Sequence, residues 1–135
     1  MTPEELYLKN YRIEDYERPS VAADIVTFMI RTEDESSYRH DPKRHLSLLL
    51  IRRGEHPFKN AWALPGGFLR PKETIEECAY REIIEETNVT PSALMLFAVF
   101  SEVNRDPRGR IISNAFVSII SEDSVNEIGG DDASE

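Results

Sequence analysis

A mixed α/β domain is the fold class that the sequence predicts, on two observations. Segments rich in β-branched and aromatic residues lie both before and after one strongly helix-forming segment, residues 74–87. The length of 135 residues allows one domain with a real core and is too small for two ordinary domains. We therefore expect a single domain over residues 1–135, with residues 1–16 as an N-terminal extension and residues 121–135 as an acidic loop or tail.

The first half of the chain predicts two strands separated by a polar loop. Residues 21–30 are β-branched and aromatic, and residues 33–44 are polar and charged. Residues 46–51 are almost continuously apolar, which is typical of a strand that is buried on both faces. An irregular stretch then leads to residues 65–67, where one proline and two glycines permit a tight backbone path.

The clearest helix covers residues 74–87, which contain neither Gly nor Pro. Its predicted apolar row is Ile75, Ala79 and Ile83. Asn88 follows where a helix-ending left-handed residue is expected, and Asn tolerates that conformation better than most residues.

The second half of the chain predicts a hairpin. Residues 94–103 and 110–120 form two apolar segments, and Asp-Pro-Arg-Gly at residues 106–109 has proline at the second turn position and glycine at the fourth. The strands of this hairpin complete the mixed sheet.

Composition and charge exclude several classes of protein. The 40% hydrophobic and 30% charged content is typical of a globular cytoplasmic protein, and no apolar run reaches membrane-spanning or signal-peptide length. A single cysteine, Cys78, cannot form an internal disulfide. The formal net charge of -9 disfavours a general nucleic-acid binder.

Three carboxylates crowd one patch of the predicted helix. Glu82 and Glu86 are one turn apart on the same side, and Glu85 flanks both. Because Glu82 and Glu86 project close to the apolar row, we expect them to be partly desolvated. Their repulsion can be relieved by a raised pKa or by a hard divalent cation such as Mg²⁺ or Mn²⁺. A Glu-rich helix considered alone is more often a solvated surface than a metal site.

The segment that contains these carboxylates resembles a known family motif. From Gly67 the chain reads Gly, five residues, Glu73, seven residues, Arg81-Glu82-Ile83, one residue, Glu85-Glu86, one residue and Asn88-Val89. This resembles the Nudix box, G-x5-E-x7-R-E-U-x-E-E-x-G-U with U aliphatic. The one departure is Asn88 in place of the final glycine, which ends the helix and is not a metal ligand.

The resemblance implies an α/β/α sandwich and a Mg²⁺-dependent pyrophosphohydrolase, with Mn²⁺ as a substitute. It implies that Glu82, Glu85 and Glu86 supply most of the metal ligands. The backbone carbonyl of Gly66 and the side chain of Glu73 are further candidates at the metal site. The catalytic candidates that it implies are Glu82, Glu86 and Arg81, whose guanidinium can steady one carboxylate because it lies one turn from Glu77 and Glu85. The general base is left open between Glu82, Glu86 and an acidic residue outside the helix such as Glu102.

Shorter segments, residues 17–21, 105–110 and 130–133, look like the ADP-ribose pyrophosphatase-like branch of that family. They favour hydrolysis of ADP-ribose to AMP and ribose 5-phosphate. The rival is an ADP-ribose-type ligand-sensing domain of a transcriptional regulator of NAD metabolism. The expected partner is a small nucleoside diphosphate; neither nucleic acid nor a membrane is expected, and a homodimer is left open.

Arg105, Arg108 and Arg110 are the candidate substrate-binding residues, since a hairpin tip that carries them could reach phosphate oxygens. The alternative for these arginines is a solvated turn. Trp62 and Phe68 are candidates for stacking on adenine, with a core position as the alternative. The three histidines, His40, His45 and His56, show no metal-ligand spacing and receive no role.

The resemblance also predicts a missing segment. Similar proteins continue beyond this point into another strand and a second helix that covers the opposite face of the sheet. We therefore expect residues 1–135 to be an N-terminal portion of a longer polypeptide, with apolar residues of the 46–51 strand exposed on the uncovered face.

Overall fold

The computed structural model describes residues 1–32 and 44–121. The predicted loop at residues 33–44 lies outside the described residues except for Arg44, and so does the predicted tail beyond Ser121. In chain order, the elements are α1 (Pro3–Asn10), a short 3-10 helix (Ile13–Asp15), β1 (Ser20–Thr32), β2 (Arg44–Leu48), β3 (Ile51–Arg52), β4 (Trp62–Ala63), β5 (Gly66–Phe68), α2 (Ile75–Thr87), β6 (Met95–Phe100) and β7 (Ile111–Ser121).

The main sheet is mixed, which confirms the predicted α/β class. Its strand order is β2-β1-β7-β6, and β5 also pairs with β1. The central pair, β1 and β7, is parallel, whereas β2, β5 and β6 each pair antiparallel to a neighbour. The predicted hairpin is confirmed as β6 and β7, with a register irregularity between Leu96 and Ala98. β3 and β4 form a separate two-stranded sheet.

Helix α2 forms where the sequence predicts it and is fixed at both ends. Thr74 caps the N-terminus in a reciprocal capping box with Glu77. Asn88 ends the helix in the left-handed conformation, with φ of 58°, as predicted. The row of Ala79 and Ile83 is fully buried against strands β1 and β7. The helix position is therefore set by its caps and by one apolar stripe.

The prediction that residues 46–51 are buried on both faces is wrong. Leu46 and Leu48 are 66% and 45% exposed, respectively. The physical reason is that β2 lies at the end of the sheet order and pairs with β1 alone, so one of its edges has no neighbouring strand within the described residues. The strand also ends at Leu48, and buried Ile51 belongs to the separate β3–β4 pair.

One helix covers the sheet in the part of the chain that the structure describes. Helix α2 packs on β1 and β5, whereas α1 buries no side chain. Apolar side chains on the inner strands, such as Ile30 of β1 and Ile119 of β7, are exposed as a result. The second helical layer of a sandwich is not seen among residues 1–32 and 44–121. None of the described helices is long and apolar enough to cross a membrane.

Candidate active site

A cleft of about 740 Å³ lies between helix α2 and the turn that joins β6 and β7. Its wall includes residues of β1, β5, α2 and the turn between β6 and β7. The charged residues that line it are of both signs: Asp24, Glu55, Glu82, Glu86 and Asp106 are acidic, and Arg53, Arg70, Arg105 and Arg108 are basic. A cleft with both signs of charge can hold an anionic ligand together with a cation.

One side of the cleft is the carboxylate wall, formed by Gly66, Gly67, Glu82 and Glu86. Glu82 and Glu86 are only 8% and 3% exposed, which confirms their predicted desolvation. The amide of Gly66 donates a hydrogen bond of 3.2 Å to Oε2 of Glu86. A Cβ atom added to Gly67 would lie 2.4 Å from the carboxyl carbon of Glu82. The two glycines therefore allow the β5 backbone to approach the helix carboxylates closely.

The guanidinium of Arg81 forms hydrogen bonds with three glutamates at and next to the carboxylate wall. Its Nε and Nη2 atoms donate to Glu73 at 2.9 and 2.6 Å, and its Nη1 atom donates to Glu82 and, at 3.3 Å, to Glu85. Nη2 also donates to the carbonyl of Phe68 at 3.0 Å, which ties α2 to β5. The hydrogen bond from Arg81 is the main cause that lowers the pKa of Glu73 to about 2. One guanidinium thus orients carboxylates from two segments.

The predicted contacts of Arg81 are found only in part. Glu85 is a partner, as its spacing predicts, but Glu77 instead accepts from the amide of Thr74 at 3.4 Å in the capping box. Glu73, which the helix spacing alone does not reveal as a partner, takes the bidentate contact. Glu73 lies before the helix, so its approach depends on the turn at residues 70–73, where Arg70 donates its amide to Glu73 at 2.8 Å.

The candidate metal ligands are therefore not equivalent. Glu82, Glu86 and Gly66 line the cleft. Glu73 is held by Arg81, and Glu85 contacts both Arg81 and, at 3.8 Å, Arg70. Among the residues described, no group of three His, Cys, Asp or Glu side chains converges tightly enough to hold an ion.

The donor chemistry of the wall nevertheless fits Mg²⁺. This ion is commonly bound through one or two carboxylates, with water and substrate phosphate completing its ligands. Glu82 and Glu86 are two such carboxylates, they are poorly solvated, and they face a cleft large enough for a phosphate-bearing ligand. A cage of three carboxylates is not required.

The opposite side of the cleft is the arginine loop, residues 101–110. Arg105 and Arg108 line the cleft, whereas Arg110 does not and instead donates to the carbonyl of Glu102 at 3.5 Å. Asp106 accepts from Arg108 at 3.1 and 2.9 Å, and the side-chain hydrogen bond of Arg108 is the main cause that lowers the pKa of Asp106 to about 2. The structure thus brings two of the three candidate arginines to the cleft.

The turn chemistry of the arginine loop follows the sequence prediction. The amide of Gly109 donates to the carbonyl of Asp106 at 3.3 Å, which closes a turn with proline second and glycine fourth. The guanidinium carbon of Arg108 lies 5.0 Å from the ring centroid of Phe68 on β5, so one stacked pair spans the two sides of the cleft. Glu102, left open as a general base, is exposed and does not line the cleft.

Of the two aromatic candidates, Phe68 alone reaches the cleft. Trp62 is 54% exposed and stacks beneath Arg52, whose guanidinium carbon is 4.7 Å from the indole. It is not one of the residues that line the cleft. His56, which received no role, does line the cleft, because the segment between β3 and β4 folds towards β5.

Sequence reasoning missed Asp24 and Ser113, which lie on the paired parallel strands β1 and β7, two register positions apart. The hydroxyl of Ser113 donates to Oδ2 of Asp24. Burial raises the pKa of Asp24, and this effect is opposed by the Ser113 hydrogen bond and by the positive charges of Arg105, Arg108 and Arg53. The signal was available, because Asp24 is the one charged residue in the apolar segment 21–30.

Comparison with known proteins gives three results. A family model of the NUDIX domain matches residues 36–135. An ADP-ribose pyrophosphatase from Methanocaldococcus jannaschii is 38% identical over 128 residues, which make up 95% of this chain and 64% of that protein. The ADPR responsive transcriptional repressor NtrR of Acinetobacter baylyi is 30% identical over 119 residues, or 87% of this chain and 43% of the repressor.

A solved structure shows the same fold. The NUDIX domain of Shewanella oneidensis NrtR, in a cocrystal structure with ADP ribose, matches with a TM-score of 0.76 and 29% identity over 98% of this chain and 80% of that chain. The chain spans less than two thirds of the length of both curated relatives.

Proposed function

The chain belongs to the Nudix family, and on that premise we propose that it hydrolyses the diphosphate bond of a nucleoside diphosphate linked to another group. The proposed substrate is ADP-ribose and the proposed products are AMP and ribose 5-phosphate. The similarity to an ADP-ribose pyrophosphatase and to a domain crystallised with ADP ribose supports this substrate.

One observation carries the proposal: two buried carboxylates and two arginines line the same cleft. Glu82 and Glu86 are poorly solvated, so a divalent cation offsets the unfavourable desolvation of their charges. Arg105 and Arg108 are positioned to meet phosphate oxygens that such a cation does not neutralise. A diphosphate is a ligand that uses both sides of the cleft at once.

The residues of the chain would divide the reaction as follows. Arg105 and Arg108 bind and orient the diphosphate, and Arg81 keeps Glu82 in place through its hydrogen bond. Water attacks one phosphorus, the bridging P–O bond breaks, and Glu82 or Glu86 takes the proton of the water. Glu102 is not in the proposed mechanism, because it lies outside the cleft.

The proposed cofactor is Mg²⁺, with Mn²⁺ as a substitute, held by Glu82 and Glu86, with the carbonyl of Gly66 as a further ligand. Bound there, the cation supplies charge neutralisation of the phosphate oxygens and stabilisation of the leaving phosphate. In this arrangement Glu73 supports the site through Arg81, and Glu85 becomes a ligand if it exchanges its contacts with Arg81 and Arg70 for the cation.

A substrate panel tests the proposal. The purified protein is incubated with Mg²⁺ and, separately, with ADP-ribose, NADH, a dinucleoside polyphosphate and a nucleoside triphosphate, and the products are resolved by chromatography. We expect AMP and ribose 5-phosphate from ADP-ribose, and no products in EDTA. Release of the same products without any divalent cation would contradict the proposed mechanism.

The second candidate is an ADP-ribose-sensing domain, because the chain is also similar to an ADPR responsive repressor. A sensor would bind ADP-ribose without releasing products. The presence of all the carboxylates of the motif favours catalysis: Arg81 donates to Glu82 and Glu85, and Glu86 lines the cleft beside Glu82. Calorimetric binding of ADP-ribose combined with an absence of products over hours in Mg²⁺ would favour the sensor.

From the composition and net charge we further propose a cytoplasmic location and no nucleic-acid partner for this segment. Light scattering of the purified protein distinguishes a monomer from a homodimer.

A further inference from the structure

We propose that Asp24 is a positioning residue for substrate binding: its buried charge holds Arg105 and Arg108 over the cleft before the anionic substrate arrives. This inference rests on the proposed function in one respect, namely that the arginines bind the diphosphate. It concerns a residue that lies outside the family motif, about 40 positions before it on β1.

The position of Asp24 links the two sides of the cleft. In register, Asp24 stands opposite Gly66 on β5 and opposite Ala115 on β7. A Cβ atom added to Gly66 would lie 2.5 Å from Oδ1 of Asp24, so the carboxylate packs directly against the backbone of the carboxylate wall. Its other oxygen accepts from Ser113, which is 1% exposed. The carboxylate is therefore fixed in place by neighbours on both adjoining strands.

The arginine loop, in contrast, makes few contacts with the rest of the protein among residues 1–32 and 44–121. Most of its hydrogen bonds are local: Arg108 to Asp106, Gly109 to Asp106, and Arg105 to Glu102 through backbone atoms. At the end of the loop, the carbonyl of Arg110 accepts from the amide of Ser20 at 2.9 Å. The stacking of Arg108 on Phe68 is one contact that crosses the cleft. Asp24 pairs in register with Gly66, two residues from Phe68, so its carboxylate and the guanidinium of Arg108 line neighbouring parts of the same cleft. Opposite charges placed in this way attract each other.

The direction of this attraction follows from the environment. Burial raises the pKa of Asp24, and the positive charges of Arg105 and Arg108, which line the cleft with it, oppose that rise and favour the carboxylate form. A charge in a poorly solvated site interacts with its neighbours more strongly than an exposed charge does, because water screens it less. Asp24 therefore biases the loop towards the conformation in which the two guanidinium groups face the cleft, and the substrate does not have to pay the cost of ordering it.

The test compares wild type with Asp24→Asn, which keeps the shape and the hydrogen bond from Ser113 and removes the charge. We expect the KM for ADP-ribose to rise on the order of tenfold with little change in kcat, the scale of one coupled charge interaction. A double-mutant cycle with Arg105→Ala should be non-additive. Ser113→Ala is the matched control, since it removes the hydrogen bond but keeps the charge, and its KM should stay near that of wild type.

A readout without substrate separates this inference from the proposed function. Phenylglyoxal modifies accessible guanidinium groups, and peptide mapping gives a rate for each arginine. In Asp24→Asn, the reaction rate of Arg105 should rise by on the order of tenfold, the same scale as the expected rise in KM. The rate of Arg110, which is on the same loop but outside the cleft, should be unchanged. Unchanged rates at Arg105 and Arg108 would overturn the positioning role, whether or not the wild type hydrolyses ADP-ribose.

A fall in kcat together with a changed Mg²⁺ requirement would also overturn it, because that result would place Asp24 at the metal. Folding of the variant is checked by its urea midpoint, which should be equal to or above that of wild type, since the substitution removes a desolvated charge.

Discussion

The two sides of the cleft differ in how firmly they are built. The carboxylate wall rests on a helix that is capped at both ends, its carboxylates are buried, and Arg81 ties it to Glu73 and Phe68. The arginine loop is mostly exposed and is closed by local hydrogen bonds. This difference suggests a division of labour in which the rigid wall carries the chemistry and the looser loop captures the substrate.

The largest effect is expected at the carboxylate wall. Glu82→Gln or Glu86→Gln should lower the rate of ADP-ribose hydrolysis by on the order of 100-fold or more, the scale of losing a metal ligand or a base. Folding should survive, because each change removes a buried charge that repels its neighbour. Steady-state kinetics with and without Mg²⁺ measure this. Full turnover with an unchanged Mg²⁺ requirement would rule out these residues as the metal centre.

The next largest effect is expected from a substitution in the carboxylate wall that leaves every carboxylate unchanged. Gly67→Ala places a methyl group 2.4 Å from the Glu82 carboxyl carbon, so that side chain must move. We expect kcat to fall by roughly tenfold to 100-fold, as a displaced catalytic group does. Gly66→Ala is the contrasting variant, because its methyl group meets the carbonyl oxygen of Ala23 at 2.3 Å.

The backbone of Ala23 lies within a paired strand and cannot move easily, so Gly66→Ala should lower the melting temperature. Gly67→Ala should leave the melting temperature closer to that of wild type, because a side chain can move instead. An unchanged kcat in Gly67→Ala would show that the close approach of Glu82 to Gly67 is not needed for catalysis.

A smaller effect is expected at the arginine loop. Arg105→Ala and Arg108→Ala should raise the KM for ADP-ribose by about tenfold each with little change in kcat or in melting temperature. Arg110→Ala is the matched control, because Arg110 belongs to the same loop but lies outside the cleft. An Arg110 effect as large as that of Arg108 would mean that the loop moves when substrate binds.

The smallest effect concerns stability and pH. The contact with Arg81 lowers the pKa of Glu73 from 4.5 to about 2, so its stabilising contribution is complete above pH 4.5 and is lost as the pH falls towards 2. The urea midpoints of wild type and Glu73→Gln should therefore differ at neutral pH and converge in acid. A difference that stays constant with pH would show that the ion pair contributes no net stability.

The same contrast explains which parts of the molecule could be predicted from sequence. Local rules sufficed for α2, since Thr74, the apolar row and Asn88 specify its start, face and end. The hairpin turn at residues 106–109 followed in the same way. The carboxylates are neighbours on one helix, so their grouping is also a local property.

Features that depend on distant segments were harder to predict. The exposure of Leu46 and Leu48 depends on β2 being an edge strand, which the apolar run itself does not reveal. Arg110 is two residues from Arg108 in the chain, yet it does not line the cleft, and its guanidinium donates to the carbonyl of Glu102 instead. Asp24 and Ser113 are 89 positions apart and meet only because β1 and β7 pair in parallel.

The most direct test of the division of labour measures kcat and KM for Mg²⁺-dependent hydrolysis of ADP-ribose in wild type, Glu86→Gln and Arg108→Ala. We predict that Glu86→Gln lowers kcat and leaves KM close to that of wild type. Arg108→Ala should raise KM and leave kcat close to that of wild type. An absence of turnover in wild type, or a change in the same parameter, kcat or KM, in both variants, would contradict the division of labour.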